Sequence, residues 1–219
     1  MSAQRPAPLS NLAPLAGVAA GLLYAVKFFA DGMPQGGSST DALTLVKAHE
    51  VKNGIAFIAT ALAALLVVVL TTWVRALLRS GESAEASYSS VAYAGGVLLA
   101  AFMLLRAWTI LAALDASGTG DHATVQAIGA LSADLWLPWM AASCLLLLGT
   151  GLGGLRNAVL PRWLAVASIV LGILAVLGPA GFAVDMAMPL WLGSIGVVLR
   201  RERATFPADG AVGLAAGLP

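Results

Sequence analysis

The sequence predicts an all-α membrane protein: six transmembrane helices arranged as three helical hairpins, with two short amphipathic helices in the long outer loops. Three observations carry the prediction. Hydrophobic residues make up 59% of the 219-residue chain and charged residues 11%, against about 25% charged in soluble domains, and mean hydropathy is +0.89. Six apolar stretches recur at about 12–30, 53–74, 91–114, 134–155, 163–181 and 184–200, long enough to cross or nearly cross a hydrocarbon core of about 30 Å at 1.5 Å per helical residue. Arginines crowd the connections on one side of this pattern.

The opening MSAQRPAPLSNLAPLAGVAAGLLYAVKFFADG sets a basic residue ahead of an apolar run, as a signal peptide does. Lys27, Phe28 and Phe29 occupy the places where small residues would precede a cleavage site, so the run is expected to stay as the first helix. The second stretch leads into RALLRSGESAEAS and the fourth into RNAVLPR. With the termini, these connections hold Arg5, Arg75, Arg79, Arg156, Arg162, Arg200, Arg201 and Arg203, whereas the opposite loops hold Lys47 and Lys52, with Lys27 at the rim. That bias predicts a bacterial cytoplasmic (inner) membrane protein with both termini cytoplasmic. Aromatic residues agree: Trp73, Tyr88 and Trp163 fall at inner ends, and Phe28, Phe29, Trp136 and Trp139 at outer ends, at headgroup level.

The two long outer loops are alike. DGMPQGGSST runs into DALTLVKAHE, and DASGTG into DHATVQAIGALS. In the first, Ser38 and Asp41 have capping-box-like spacing ahead of Leu43 and Val46; in the second, Asp121 caps a turn whose apolar face is Val125, Ile128 and Leu131. The likeness suggests that helices 1–2 and 3–4 are copies of one helix–loop–helix unit, with helices 5–6 a shortened third copy turning at GPAGFAVD. Gly17-Val-Ala-Ala-Gly21 and Gly149-Thr-Gly-Leu-Gly153 match the small-xxx-small pattern of close helix packing, read here as intramolecular, with homo-oligomerisation the alternative. Residues 1–203 thus read as a single six-span domain. The Gly-, Ala- and Pro-rich stretch 204–219 reads as a disordered cytoplasmic tail.

The segment Leu160 to Gly178, LPRWLAVASIVLGILAVLG, with its Leu-Pro-Arg-Trp lead-in, resembles the fifth-helix signature of a family of uncharacterised bacterial six-helix integral membrane proteins. The motif has a physical basis: Pro161 suits a helix's first turn, Arg162 holds the cytoplasmic side and Trp163 sits in the interface. The resemblance implies the six-span topology and transfers no catalytic or binding residue.

Candidate chemistry centres on Arg106, a permanent charge inside an apolar run, which needs a partner or an aqueous cavity. Its expected partners are Asp134, Asp185 or Glu50, at the outer ends of neighbouring helices. The outer face is acidic and carries His49 beside Glu50 and His122 beside Asp121, a donor set that a divalent metal could use; no HExxH or CxxC occurs, and solvated loop residues account for these charges without a metal. Histidine pairs within spans, as bis-haem bundles require, are missing, and so is a second cysteine beside Cys144 for thiol chemistry. Ser194 in Gly193-Ser-Ile-Gly196 has no histidine to activate it, and no phosphate loop or dinucleotide fingerprint occurs. No cofactor is therefore implied. A net charge of +1 excludes a basic nucleic-acid surface. The functional expectation is a non-enzymatic membrane protein whose outer vestibule, around Arg106, Asp134, Glu50 and Asp185 with His49 and His122, binds a small ligand or a membrane-protein partner. A small-solute transporter or channel using the same cavity is the first alternative, and a membrane enzyme acting on lipid the second.

Overall fold

A computed structural model describes residues 12–33, 39–83 and 86–205, and among these every regular element is an α-helix. The elements are α1 (Leu12–Ala30), α2 (Ser39–Ala48), α3 (Glu50–Ser80), α4 (Tyr88–Thr119), α5 (His122–Asp134), α6 (Trp136–Arg156), α7 (Arg162–Ala175) and α8 (Ala180–Thr205). All six apolar stretches form helices, the fifth only as far as Ala175, and both amphipathic loop segments form short helices. Four helices are long and apolar enough to cross a membrane: α3, α4, α8 and the nearly continuous α5–α6 unit; α1 and α7 are shorter apolar helices.

Polar chain ends fix the boundaries. Asp121 accepts the Thr124 N–H at 3.1 Å and the Thr124 hydroxyl at 2.5 Å, capping α5 as expected. The Thr124 hydroxyl, then its N–H, hold the Asp121 carboxyl below the usual carboxylate range. Glu82 accepts the backbone N–H and hydroxyl of Ser89 at 2.7 and 2.5 Å, setting a negative charge on the positive end of the α4 dipole. Asn157 donates to the Leu78 carbonyl at 3.3 Å and so closes α3. The Ser38–Asp41 cap and the tail from residue 206 lie outside the described residues.

The longer helices form a ring in chain order, α1–α3–α4–α6–α7–α8, which α8 closes by packing on α1; the α7–α8 seam is the thinnest. One end of the ring carries Arg75, Arg79, Arg156, Arg162 and Arg200 and is called the arginine end; the other carries α2 and α5 and is called the capped end. There α2 and α5 pack on one another and on α4, with Leu43, Val46 and Val125 buried against Met33, Ala56 and Ile110. Ile128 packs partly into this cluster, but Leu131, expected on the same face, is 47% exposed: the buried side of α5 runs through Val125, Gly129 and Ser132.

The bundle is inside-out by the standards of a soluble protein. Its outward faces expose Leu15, Leu22, Ile58, Leu137 and Leu190, while its interior buries Asn53, Thr60, Ser143, Thr150 and Ser168 beside alanines and leucines. An apolar belt of that extent suits hydrocarbon as solvent, not water.

Towards the arginine end, backbones approach through glycine. A Cβ on Gly17 would lie 2.7 Å from the Gly196 Cα, and one on Gly149 would lie 2.5 Å from the Ala92 nitrogen. Gly95 backs onto the Leu145–Leu146 backbone and Gly21 onto the Pro189 carbonyl. Both small-xxx-small motifs are thus consumed within the chain.

Several expected boundaries move. The fifth stretch, expected over 163–181, is helical only to Ala175, and α8 starts at Ala180, so the turn is Val176–Pro179 and most of GPAGFAVD is already helix. Apolar Val176 and Leu177 carry the hydropathy through a turn made by Gly178, whose φ is +57°, and Pro179. At the other ends, α3 and α4 outrun their apolar cores because segments carrying polar residues, such as Arg75, Arg79 and Ser80 in α3, keep helical geometry.

Candidate functional site

In α1, Tyr24 and Lys27, with Asp31 just past the helix end, follow i, i+3, i+7 spacing and so share one face. That face looks across the ring at the capped end. α8 presents Asp185, α4 presents Arg106 and α6 presents Trp139. Between them lies a cavity of about 760 Å³, walled also by Phe28, Phe182 and Trp136, with Ser132 at the α5 side.

Two ion pairs organise it. Arg106 donates through Nη2 to Asp31 Oδ1 and Oδ2 at 2.9 and 2.7 Å, tying α4 to the end of α1. Asp31 Oδ1 also accepts the Met33 N–H at 3.2 Å. The second pair is deeper: Lys27 Nζ stands 3.9 Å from Asp185 Oδ2, with side-chain exposures of 9% and 8%. The Tyr24 hydroxyl donates to Asp185 Oδ1, and the Trp139 indole N–H donates to the Tyr24 oxygen at 3.1 Å. The Lys27 ammonium lies 4.8 Å from the Trp139 ring centre and 5.2 Å from that of Tyr24, where the ring quadrupole attracts a cation. Beside Arg106, Thr109 and Ser132 hydroxyls meet at 3.2 Å, joining α4 to α5.

Of the six residues expected to form the site, two line this cavity: Arg106 and Asp185. The others do not. Glu50, Asp134 and His122 are exposed, and His49 is half-buried at the N-terminus of α3, its Nδ1 3.0 Å from the Leu45 carbonyl and its side chain against Gly32. The partner of Arg106 is Asp31, not Asp134, Asp185 or Glu50. Because α1 ends at Ala30 beside the middle of the longer α4, the first residue beyond α1 is the acid within reach. Lys27 is buried instead of lying at a rim, and Trp139, 5% exposed, is a core residue instead of a headgroup anchor. Among the described residues, no three His, Cys, Asp or Glu side chains group as metal ligands.

Sequence reasoning missed Tyr24, Lys27, Asp31 and Trp139. The signal available was the helical spacing of the first three along an otherwise apolar stretch; the Trp139 contact, bridging 115 positions, leaves no local trace.

By fold, the described residues make an all-helical bundle whose apolar helices suit a multi-pass membrane protein, with a mixed-charge, aromatic-walled cavity at one end. Compared with protein-family models, curated proteins and solved structures, it matches none.

Proposed function

We propose that this is a six-span protein of the bacterial inner membrane, both termini cytoplasmic, whose outward-facing cavity binds a small ligand. The arginine bias supports the orientation, and the resemblance of Leu160–Gly178 to a six-helix family supports the span count. The observation that carries the binding reading is the cavity itself: about 760 Å³, within the size range of small-molecule sites, with four charged side chains converging between aromatic walls. Buried charges are costly in lipid and mark functional positions by default. The Lys27–Asp185 and Arg106–Asp31 pairs serve structure and site together, pinning α1 to α8 and α4 while keeping charge at the cavity wall.

The test is accessibility in whole cells. On a Cys144→Ser background, an impermeant maleimide added outside should label Ser132→Cys, in the cavity, and spare Ser83→Cys, at the arginine end. Labelling of Ser83→Cys from outside would overturn the orientation, and an inert Ser132→Cys would overturn the open cavity.

A second reading, transport, draws on Pro189. Proline has no N–H, so α8 lacks the helical donor to the carbonyl of Asp185, four residues earlier. This weak point lies beside the thin α7–α8 seam and adjoins a second, mostly apolar cavity of about 740 Å³ towards the arginine end. Transport requires that the two cavities communicate; labelling from the cytoplasmic side of a cysteine at Ser194, in the second cavity, that is blocked by a ligand added outside would favour it.

A further inference from the structure

The hydrogen bonds of the cavity are unequally filled. On the acidic side, both oxygens of Asp31 accept from Arg106, and Oδ1 accepts the Met33 N–H as well. Asp185 accepts the Tyr24 hydroxyl on one oxygen and faces Lys27 with the other. On the basic side, the Arg106 bonds all run through Nη2, so the N–H groups of Nη1 and Nε have no acceptor among the described residues. The Lys27 ammonium, on a residue 93% buried by its 7% exposure, has no hydrogen-bond acceptor among them; its nearest carboxylate oxygen is 3.9 Å away. Lys27, buried, and Arg106, half-buried, therefore face one cavity with donors to spare, while Asp31 is filled on both oxygens and Asp185 on one, its other oxygen paired with Lys27 by charge alone. These donors open onto the cavity, where a charged acceptor satisfies them best.

We propose that the cavity takes an oxyanion, a carboxylate or phosphate on an apolar or aromatic body, whose oxygens bridge Lys27 and Arg106 while the body lies against Trp136, Phe28 and Phe182. This deepens the binding reading and rests on it. A cation would meet Lys27 and Arg106 as like charges and could not use their donors. A neutral amide could accept from one of them but would leave the other unmatched. A soluble amphipathic acid and the headgroup of an anionic lipid both present such an anion; the chemistry recognised is the same.

The experiment uses the full chain, purified in detergent and in nanodiscs. Equilibrium dialysis compares phenylacetate with the neutral phenylacetamide and the cationic phenethylamine, three probes of one shape. Phenylacetate should bind about tenfold or more tighter than either, as a charge-assisted pair of bonds predicts. Lys27→Gln and Arg106→Gln should each remove most of that preference, Lys27→Arg should keep it, and Asp185→Asn should increase it. Should a variant fail to accumulate, the three probes on the unaltered chain decide alone. In nanodiscs, native mass spectrometry compares retained phosphatidylglycerol with phosphatidylcholine. Retention of phosphatidylglycerol alone, with no binding of phenylacetate, supports the oxyanion and assigns it to lipid. Equal or tighter binding of the amide or the amine overturns the oxyanion and leaves the cavity a binding site. Binding of no probe and no selective lipid overturns both.

Discussion

The two ends of the bundle are held together by different forces. Towards the arginine end, helices meet backbone to backbone: Gly17 on Gly196, Gly149 on Ala92, Gly95 on the Leu145–Leu146 backbone. At the capped end α1, α4, α6 and α8 line a cavity, and across it they are joined by Lys27–Asp185, Arg106–Asp31 and the Trp139–Tyr24 contact, whose rings meet edge to face at 6.0 Å, while an apolar cluster around Val46, Ala56, Ile110 and Val125 seats α2 and α5 on α3 and α4. In lipid, small residues let helix backbones approach closely, and polar side chains join helices that stand further apart. The bundle does one at each end. A tightly packed base thus carries a pocketed, charge-joined mouth, which is the arrangement a binding site needs: rigid support beneath and functional groups above.

The first way to break this contrast is to remove one charge from the deeper pair. Lys27→Met strands Asp185 at 8% side-chain exposure, and breaking a buried pair from one side costs about 3–5 kcal/mol. Thermal unfolding in detergent should show a larger loss than for Gly149→Val or Trp139→Phe, and Lys27→Met with Asp185→Leu should recover most of it. A loss smaller than that of a packed-end glycine variant would mean that charge does not hold the mouth.

The packed end gives the complementary test. Gly149→Val drives side-chain atoms into the Ala92 backbone, where even a Cβ would stand 2.5 Å from the nitrogen, and overpacking of that kind costs about 1–3 kcal/mol. Its effect should be on stability, with the phenylacetate preference of the surviving fold unchanged. Loss of the preference at full stability would mean that the base and mouth are not separate.

These two ends were unequally legible in the sequence, for the same physical reason. Hydropathy and glycine spacing are local, so the six apolar stretches, the loop helices, the Asp121 cap and the Gly17 and Gly149 motifs could be read in place. The site is a matter of which helix ends where. Asp31 reads as the first residue of a loop, and only the shortness of α1 beside α4 brings it to Arg106. Lys27 reads as a rim residue three positions from the end of its helix; Asp185 and the Trp139 face draw it inside. Asp185 was read as a residue of the site, but Glu50 and Asp134, chosen on the same ground of lying at outer helix ends, face solvent. Position along a helix was readable; rotation about its axis was not. The end of α7 is a local miss of another kind, since Gly178-Pro179 announces a turn that an apolar average hides.

A finer test isolates the aromatic bridge. Trp139→Phe keeps the ring against Tyr24 and removes the indole donor that reaches the Tyr24 oxygen at 3.1 Å. The cost should be about 1 kcal/mol, a single buried hydrogen bond, while Tyr24 continues to hold Asp185. A cost near that of Lys27→Met would make Trp139 a main fastening of the mouth and move the weight of the comparison from charge to the aromatic network.

The smallest effect concerns the cap over the mouth, through Asp121. Its folded carboxyl titrates below the usual carboxylate range because the Thr124 hydroxyl and N–H donate to the charged form. A group with a depressed folded value contributes stability that is fully present above its unfolded value, the ordinary aspartate value of about 3.8, and is lost as pH falls through the lower folded value. The start of α5 should therefore loosen under acid before the glycine-packed end does. Amide exchange at Thr124, corrected for its intrinsic pH dependence, should accelerate on acidification in the unaltered chain. In Asp121→Asn, which caps without titrating, it should stay flat. An identical acid response in both chains would mean that the cap is held by the α2–α5 apolar contact alone, and that the capped end owes less to polar bonds than the cavity beneath it does.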